Sequence, residues 1–147
     1  MRLLPALVLA GCTATAALLS SGVAQADILH FSTVLSGSKE KVPNHVAATG
    51  TADVTLDTAT HMASYRVDYR GLTGPAKIVH FHGPKLPGMR APEVIVMRMH
   101  PGASPVTGSL HVTDAQIDEL KKGQWYANVH TDKYPDGEIR GWLTAKK

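Results

Sequence analysis

The sequence predicts an all-β fold, a Greek-key antiparallel β-sandwich of about eight strands with one short helix. Three observations predict it. Runs in which apolar and polar residues alternate recur along the chain, as strands with one buried face require. Clusters of Gly, Pro, Asn and Asp punctuate the chain roughly every 8 to 15 residues, the rhythm of a many-stranded antiparallel fold. Only one stretch, beginning at Thr113, changes to helical spacing.

The first 26 residues read as a leader rather than as part of that fold. Met1-Arg2 is a short positive start, Leu3 to Val23 is apolar and uncharged, and Ala24-Gln25-Ala26 has the small-x-small form of a cleavage site. Pro5, Gly11 and Gly22 interrupt the apolar run, which disfavours a spanning helix. The expectation is a cleaved signal peptide (1–26), export to the periplasm or the medium, and a single mature domain over 27–147 with no transmembrane segment. Leu9-Ala10-Gly11-Cys12 offers an alternative, a lipoprotein anchored at Cys12, although the apolar stretch ahead of Cys12 is short for such a signal.

The leader holds one of the 15 basic residues, Arg2, and none of the 12 acidic ones, so the mature domain keeps a net charge of +2. That balance, without a stripe of Lys and Arg interleaved with aromatics, argues against a nucleic-acid partner. Cys12 is the single cysteine and leaves with the leader, so the domain has neither a disulfide nor a thiolate ligand.

In chain order, Ile28 to Leu35 alternates with Leu29, Phe31 and Leu35 on one face. Gly50 to Asp57 puts Ala52, Val54 and Leu56 inward. His61 to Tyr69 does the same with Ala63, Tyr65, Val67 and Tyr69. Asp57-Thr58-Ala59-Thr60 between the last two is short enough for a hairpin. Ile78 to His82, Glu93 to Met99 and Val106 to Val112 are the next strands. Thr113-Asp114-Ala115-Gln116 matches a capping box, Ile117 and Leu120 give the helical face, and Gly123 stops the helix. Gln124 to His130 is a strand, Tyr134-Pro135-Asp136-Gly137 a reversing turn, and Glu138 to Leu143 the returning strand.

The chemistry concentrates in two places. His80-Phe81-His82 puts two imidazoles on one strand face, and His130, which shares a face with Tyr126 and Asn128, is the natural third. Three neutral imidazoles and no cysteine describe a nitrogen-rich copper or zinc site. Across the last turn, Glu138, Arg140 and Trp142 share a face, so Asn128, Glu138 and Arg140 are expected to orient the imidazoles. A different reading of the same residues is a buried hydrogen-bonded network that fixes the fold and binds no ion. Met97, Met99 and His100 form a second grouping with soft-ligand chemistry; core packing of the two methionines is the simpler account. No Gly-x-Ser-x-Gly, catalytic cysteine or phosphate-cradling glycine loop is present, so no catalytic residue is assigned.

Several segments resemble the CHRD family, the chordin-type domain that also occurs in bacteria. They are Phe31, Leu35-Ser36-Gly37, Glu40-Lys41-Val42-Pro43, Ala48-Thr49-Gly50-Thr51-Ala52, Gly71-Leu72-Thr73-Gly74 and His80-Phe81-His82-Gly83-Pro84. Gly108 and Leu110, Leu120 to Thr131, and Pro135-Asp136-Gly137-Glu138-Ile139-Arg140-Gly141 complete the match. Asn44 stands where the family pattern usually has a second proline. The resemblance implies the family's fold and an exported single-domain protein; the expected partner of such a binding module is a metal ion or another exported protein. A fainter likeness to Cu/Zn superoxide dismutase lies in Gly71-Leu72-Thr73 and His80-Phe81-His82; the zinc-loop spacing and disulfide cysteines of that family are missing here. The reading is therefore a non-enzymatic CHRD-type binding protein with a copper or zinc site at His80, His82 and His130. A protein-interaction module with structural histidines and a dismutase-like metalloenzyme are the alternatives.

Overall fold

The computed structural model describes residues 27–84, 93–99 and 103–146, and of 93–99 only the backbone. The expected leader with Cys12, residue His100 and the side chains of Met97 and Met99 lie outside the described residues. The strands are β1 (Ile28–Ser36), β2 (Thr49–Asp57), β3 (Met62–Arg70), β4 (Ile78–His82), β5 (Glu93–Met99), β6 (Val106–His111), β7 (Tyr126–His130), β8 (Ile139–Trp142) and β9 (Thr144–Ala145). One helix, α1 (Asp114–Lys121), sits between β6 and β7. Among the described residues the fold is all-β with one short α-helix, as expected.

Every pairing is antiparallel, in the order β5-β4-β7-β8-β1-β2-β3-β6, with β9 added beside β1. The β1-β2-β3 meander is in full register, from Ile28 opposite Asp57 to Ser36 opposite Thr49, and from Thr49 opposite Arg70 to Asp57 opposite Met62. Its second hairpin is closed by Asp57, whose Oδ1 accepts from the backbone N–H of Ala59 at 2.9 Å and Thr60 at 3.2 Å. Those bonds, Thr60 foremost, hold the Asp57 carboxyl below its usual pKa. The two halves of the sheet join where Ser36 faces Arg140, and β5 and β6 approach each other at the far edges, so the sheet nearly closes on itself.

The inward residues form one core. Phe31, Leu35, Ala52, Val54, Leu56, Ala63, Tyr65 and Val67 come from one half; Val79, Phe81, Ala127, Val129 and Ile139 come from the other. Tyr65 meets Phe81 edge-to-face at 5.6 Å across the interior, a favoured aromatic geometry. The capping box forms as the sequence indicates: Gln116 N–H donates to Thr113 Oγ1 at 3.3 Å, and Thr113 N–H donates to Gln116 Oε1 at 2.9 Å. Ile117 and Leu120 bury the inner helix face, and Gly123 leaves the helix at φ 66°.

The same register that seats the core creates a second buried layer. In β4, Val79 and Phe81 face the core, so His80 and His82 project from the opposite side. In β7, Ala127 and Val129 face the core, and Tyr126, Asn128 and His130 project with the histidines. All five β7 residues are nonetheless buried. An antiparallel sheet commonly leaves one face to water. Here the outer face is covered as well, in part by the 3-10 turn Gly37–Lys39 and the segment after it, which pack on β8.

Candidate metal centre

Strand pairing explains how residues fifty positions apart meet. The β4–β7 ladder sets Ile78 opposite His130 and His80 opposite Asn128. His130 is therefore the diagonal neighbour of His80, a relation that brings long side chains within reach. The ring centroids of His80 and His82 are 5.1 Å apart, those of His80 and His130 4.9 Å, and those of His82 and His130 6.4 Å. One ligand nitrogen from each ring lies within 4.8 Å of the others. The three side chains are buried, with exposures of 4%, 7% and 9% for His80, His82 and His130.

His130 is held by the turn that follows it. Its Nδ1 lies 2.8 Å from the carbonyl oxygen of Pro135. A carbonyl only accepts, so Nδ1 carries the proton and, in the neutral ring, the lone pair sits on Nε2. This is the arrangement usual for ligand histidines, whose second nitrogen donates to a carbonyl or carboxylate. The turn is set by reciprocal bonds between Thr131 and Tyr134 and by Gly137 N–H donating to the Tyr134 carbonyl at 3.1 Å. Lys77 N–H, bonded to the His130 carbonyl at 2.8 Å, fixes the backbone from the β4 side.

The expected supporting residues are placed in two groups. Asn128 and Arg140 lie on the histidine face, Asn128 between His80 and Arg140 across three strands. Arg140 puts Nη2 3.0 Å from Glu40 Oε2 and its guanidinium 4.5 Å over the Tyr126 ring. Tyr126 in turn stacks on His82, with centroids 4.7 Å apart and planes 12° from parallel. Burial outweighs the attraction of Arg140 and raises the Glu40 carboxyl to about 7. Gly137, at φ 124°, admits this packing, because a Cβ there would come within 2.6 Å of the Asn128 amide and 2.7 Å of Glu40 Oε1.

Glu138 does different work from Asn128 and Arg140. It is fully buried, and its carboxylate accepts from Thr73 N–H at 2.8 Å, Thr73 Oγ1–H at 2.9 Å and Thr131 Oγ1–H at 2.6 Å. It thereby ties the loop after β3 to the residue that follows His130. Its own N–H bonds the Val129 carbonyl at 2.8 Å, and Asn44 Nδ2 donates to its carbonyl at 3.0 Å. Reading the sequence missed Tyr126 as a ring against His82, although its place two residues before Asn128 put it on the right face. It also missed Glu40, Thr73 and the Pro135 carbonyl. Glu40 and Thr73 reach the site from loops far away in sequence; both lie in segments that carry the family resemblance, but nothing in those segments points to the histidines.

Three imidazoles in a buried cluster are a donor set for copper or zinc. Bond lengths of 2.0–2.1 Å in a tetrahedral site set nitrogen spacings of about 3.4 Å, to be compared with the 4.8 Å within which these atoms lie. The buried cluster could hold a metal ion. Among the described residues no helix is long and apolar enough to cross a membrane. Searches of curated proteins and of solved structures returned no match. A family model does match: the CHRD domain, over residues 31–143, which runs from within β1 to just past β8 and includes all three histidines. The chain belongs to the CHRD domain family.

Proposed function

We propose that this domain is a non-enzymatic binding protein whose His80, His82 and His130 hold a single copper or zinc ion. The observation that carries the reading is the His130 hydrogen bond to Pro135, because it fixes the tautomer that offers Nε2 beside two other buried imidazoles. Asn128, Glu138 and Arg140 act as its support: Glu138 secures the strand end that presents His130, while Asn128 and Arg140 pack the histidine face. The leader pattern at residues 1–26 supports delivery of this domain to the periplasm or the medium, with cleavage after Ala26.

The test is a titration of the purified domain with Cu²⁺ and with Zn²⁺, following the melting temperature and the binding stoichiometry. A ligand selective for the folded state raises the melting temperature, by about 3 kcal/mol of stability at a hundredfold excess over Kd. One ion per chain is expected, with the shift lost in His80→Ala and His130→Ala. Retention of the full shift in both variants would refute the assignment. A shift with neither metal, together with chelator-independent capture of an exported protein, would instead favour the interaction module with structural histidines. Intact mass of the exported protein distinguishes cleavage after Ala26 from lipid attachment at Cys12.

A further inference from the structure

We infer that Tyr126 and Trp142 form an electron path between the histidine centre and the protein surface, serving a one-electron exchange of bound copper. The inference rests on the metal reading above, with copper as the ion. Its basis is a run of rings in contact. His82 stacks nearly parallel on Tyr126 at 4.7 Å, and Tyr126 meets Trp142 at 4.7 Å with planes at 62°. The run is built into the ladder, because β4, β7 and β8 set His82, Tyr126 and Trp142 side by side on one sheet face.

The two ends of the run differ in access. All three histidines are buried, so an external reagent finds little imidazole edge to touch. Trp142 is partly exposed and walls a surface depression of about 530 Å³ together with Thr33, Val34, Lys39, Asp53 and Lys146. Tyr126 is buried in the middle, with the Arg140 cation 4.5 Å from its ring. A positive charge there opposes removal of an electron from the phenol, so Tyr126 passes an electron without resting as a radical. The exchange is simple in its balance. An outer-sphere one-electron donor, such as hexaammineruthenium(II), docks at Trp142 and is oxidised to the ruthenium(III) complex. Cu(II) at the histidines is reduced to Cu(I). No bond is made or broken, and no proton is required.

The experiment uses copper-loaded protein mixed with hexaammineruthenium(II) in a stopped-flow instrument, following loss of the Cu(II) signal. Copper stoichiometry and midpoint potential are measured for each variant, and rates are compared at matched driving force. Trp142→Leu, at the far end of the run, is expected to slow reduction severalfold while keeping one copper per chain, and Tyr126→Leu to slow it in the copper-loaded fraction. Trp142→Phe and Tyr126→Phe, which keep a ring, are expected to stay near the wild-type rate. Leucine variants that bind copper and are reduced as fast as wild type overturn the path and leave the metal site standing. A wild-type protein that takes up zinc but no copper overturns the path alone, and one that takes up neither metal overturns both. Should Tyr126→Leu fail to fold, the Trp142 pair decides alone.

Discussion

Replacing Glu138 by glutamine tests whether the buried carboxylate holds the histidine hairpin in place. The change keeps the volume and removes the charge. The carboxylate now accepts three bonds, one from the Thr73 N–H and two from hydroxyls. With the glutamine oxygen facing the Thr73 N–H, its amide nitrogen faces the hydroxyls of Thr73 and Thr131. Both hydroxyls must then turn to accept, and their protons lose an acceptor. Bonds to charged groups contribute about 1.5–3 kcal/mol each, roughly twice the neutral value, so losing the charge across three bonds is expected to destabilise the domain by about 3 kcal/mol. For a domain of this size that lowers the melting temperature by roughly 10 °C. Urea unfolding with an unchanged m-value reads the loss directly. Because Thr131 follows His130, the affinity of the variant for Cu²⁺ or Zn²⁺ is expected to fall about 10- to 100-fold. A variant within about 0.5 kcal/mol of wild type, the range of an ordinary surface change, refutes the clamp.

Other outcomes follow from the same geometry. Glu40 carries a folded-state pKa of about 7 against an ordinary 4.5, so between those values the folded protein holds a proton that the unfolded chain has released. Its contribution to stability is therefore fully present below pH 4.5 and lost as pH rises to about 7, on the order of 3 kcal/mol; Glu40→Gln removes that slope from the difference between the two stability profiles. Thr113→Ala removes the helix cap and costs about 1 kcal/mol, measured by urea unfolding. Gly137→Ala forces a Cβ into Asn128 and Glu40 at φ 124°, and is expected to lower the melting temperature and metal uptake together. His82→Ala is expected to abolish metal-induced stabilisation while leaving the apolar core intact, checked by near-ultraviolet circular dichroism.

The fold was legible because its local signals agree. Alternation placed Ala52, Val54 and Leu56 inward, and the core contains all three. The capping box at Thr113 and the stop at Gly123 bound the helix as read. His80 and His82 were legible as a pair because strand geometry alone puts them on one face, and His130 because it alternates with Asn128. What joined them was register, which depends on pairing between β4 and β7 across nearly fifty residues and leaves no trace in either strand alone. The same limit explains Glu138. Its alternation with Arg140 suggested a common role, yet β8 begins only at Ile139, and Glu138 turns instead to Thr73 and Thr131. Strand β9, two residues long, is too short to carry a pattern.

The back-to-back placement of core and histidines on β4 and β7 separates what makes the chain fold from what lets it be useful. Phe81 and Val129 belong to the apolar core, whereas their immediate neighbours His80, His82 and His130 form the buried cluster that could hold an ion. A chain built on this frame is free to vary those three side chains without touching the apolar core on the opposite face. An engineer has the same liberty, and the pair of strands is a ready mount on which to graft a different coordination chemistry.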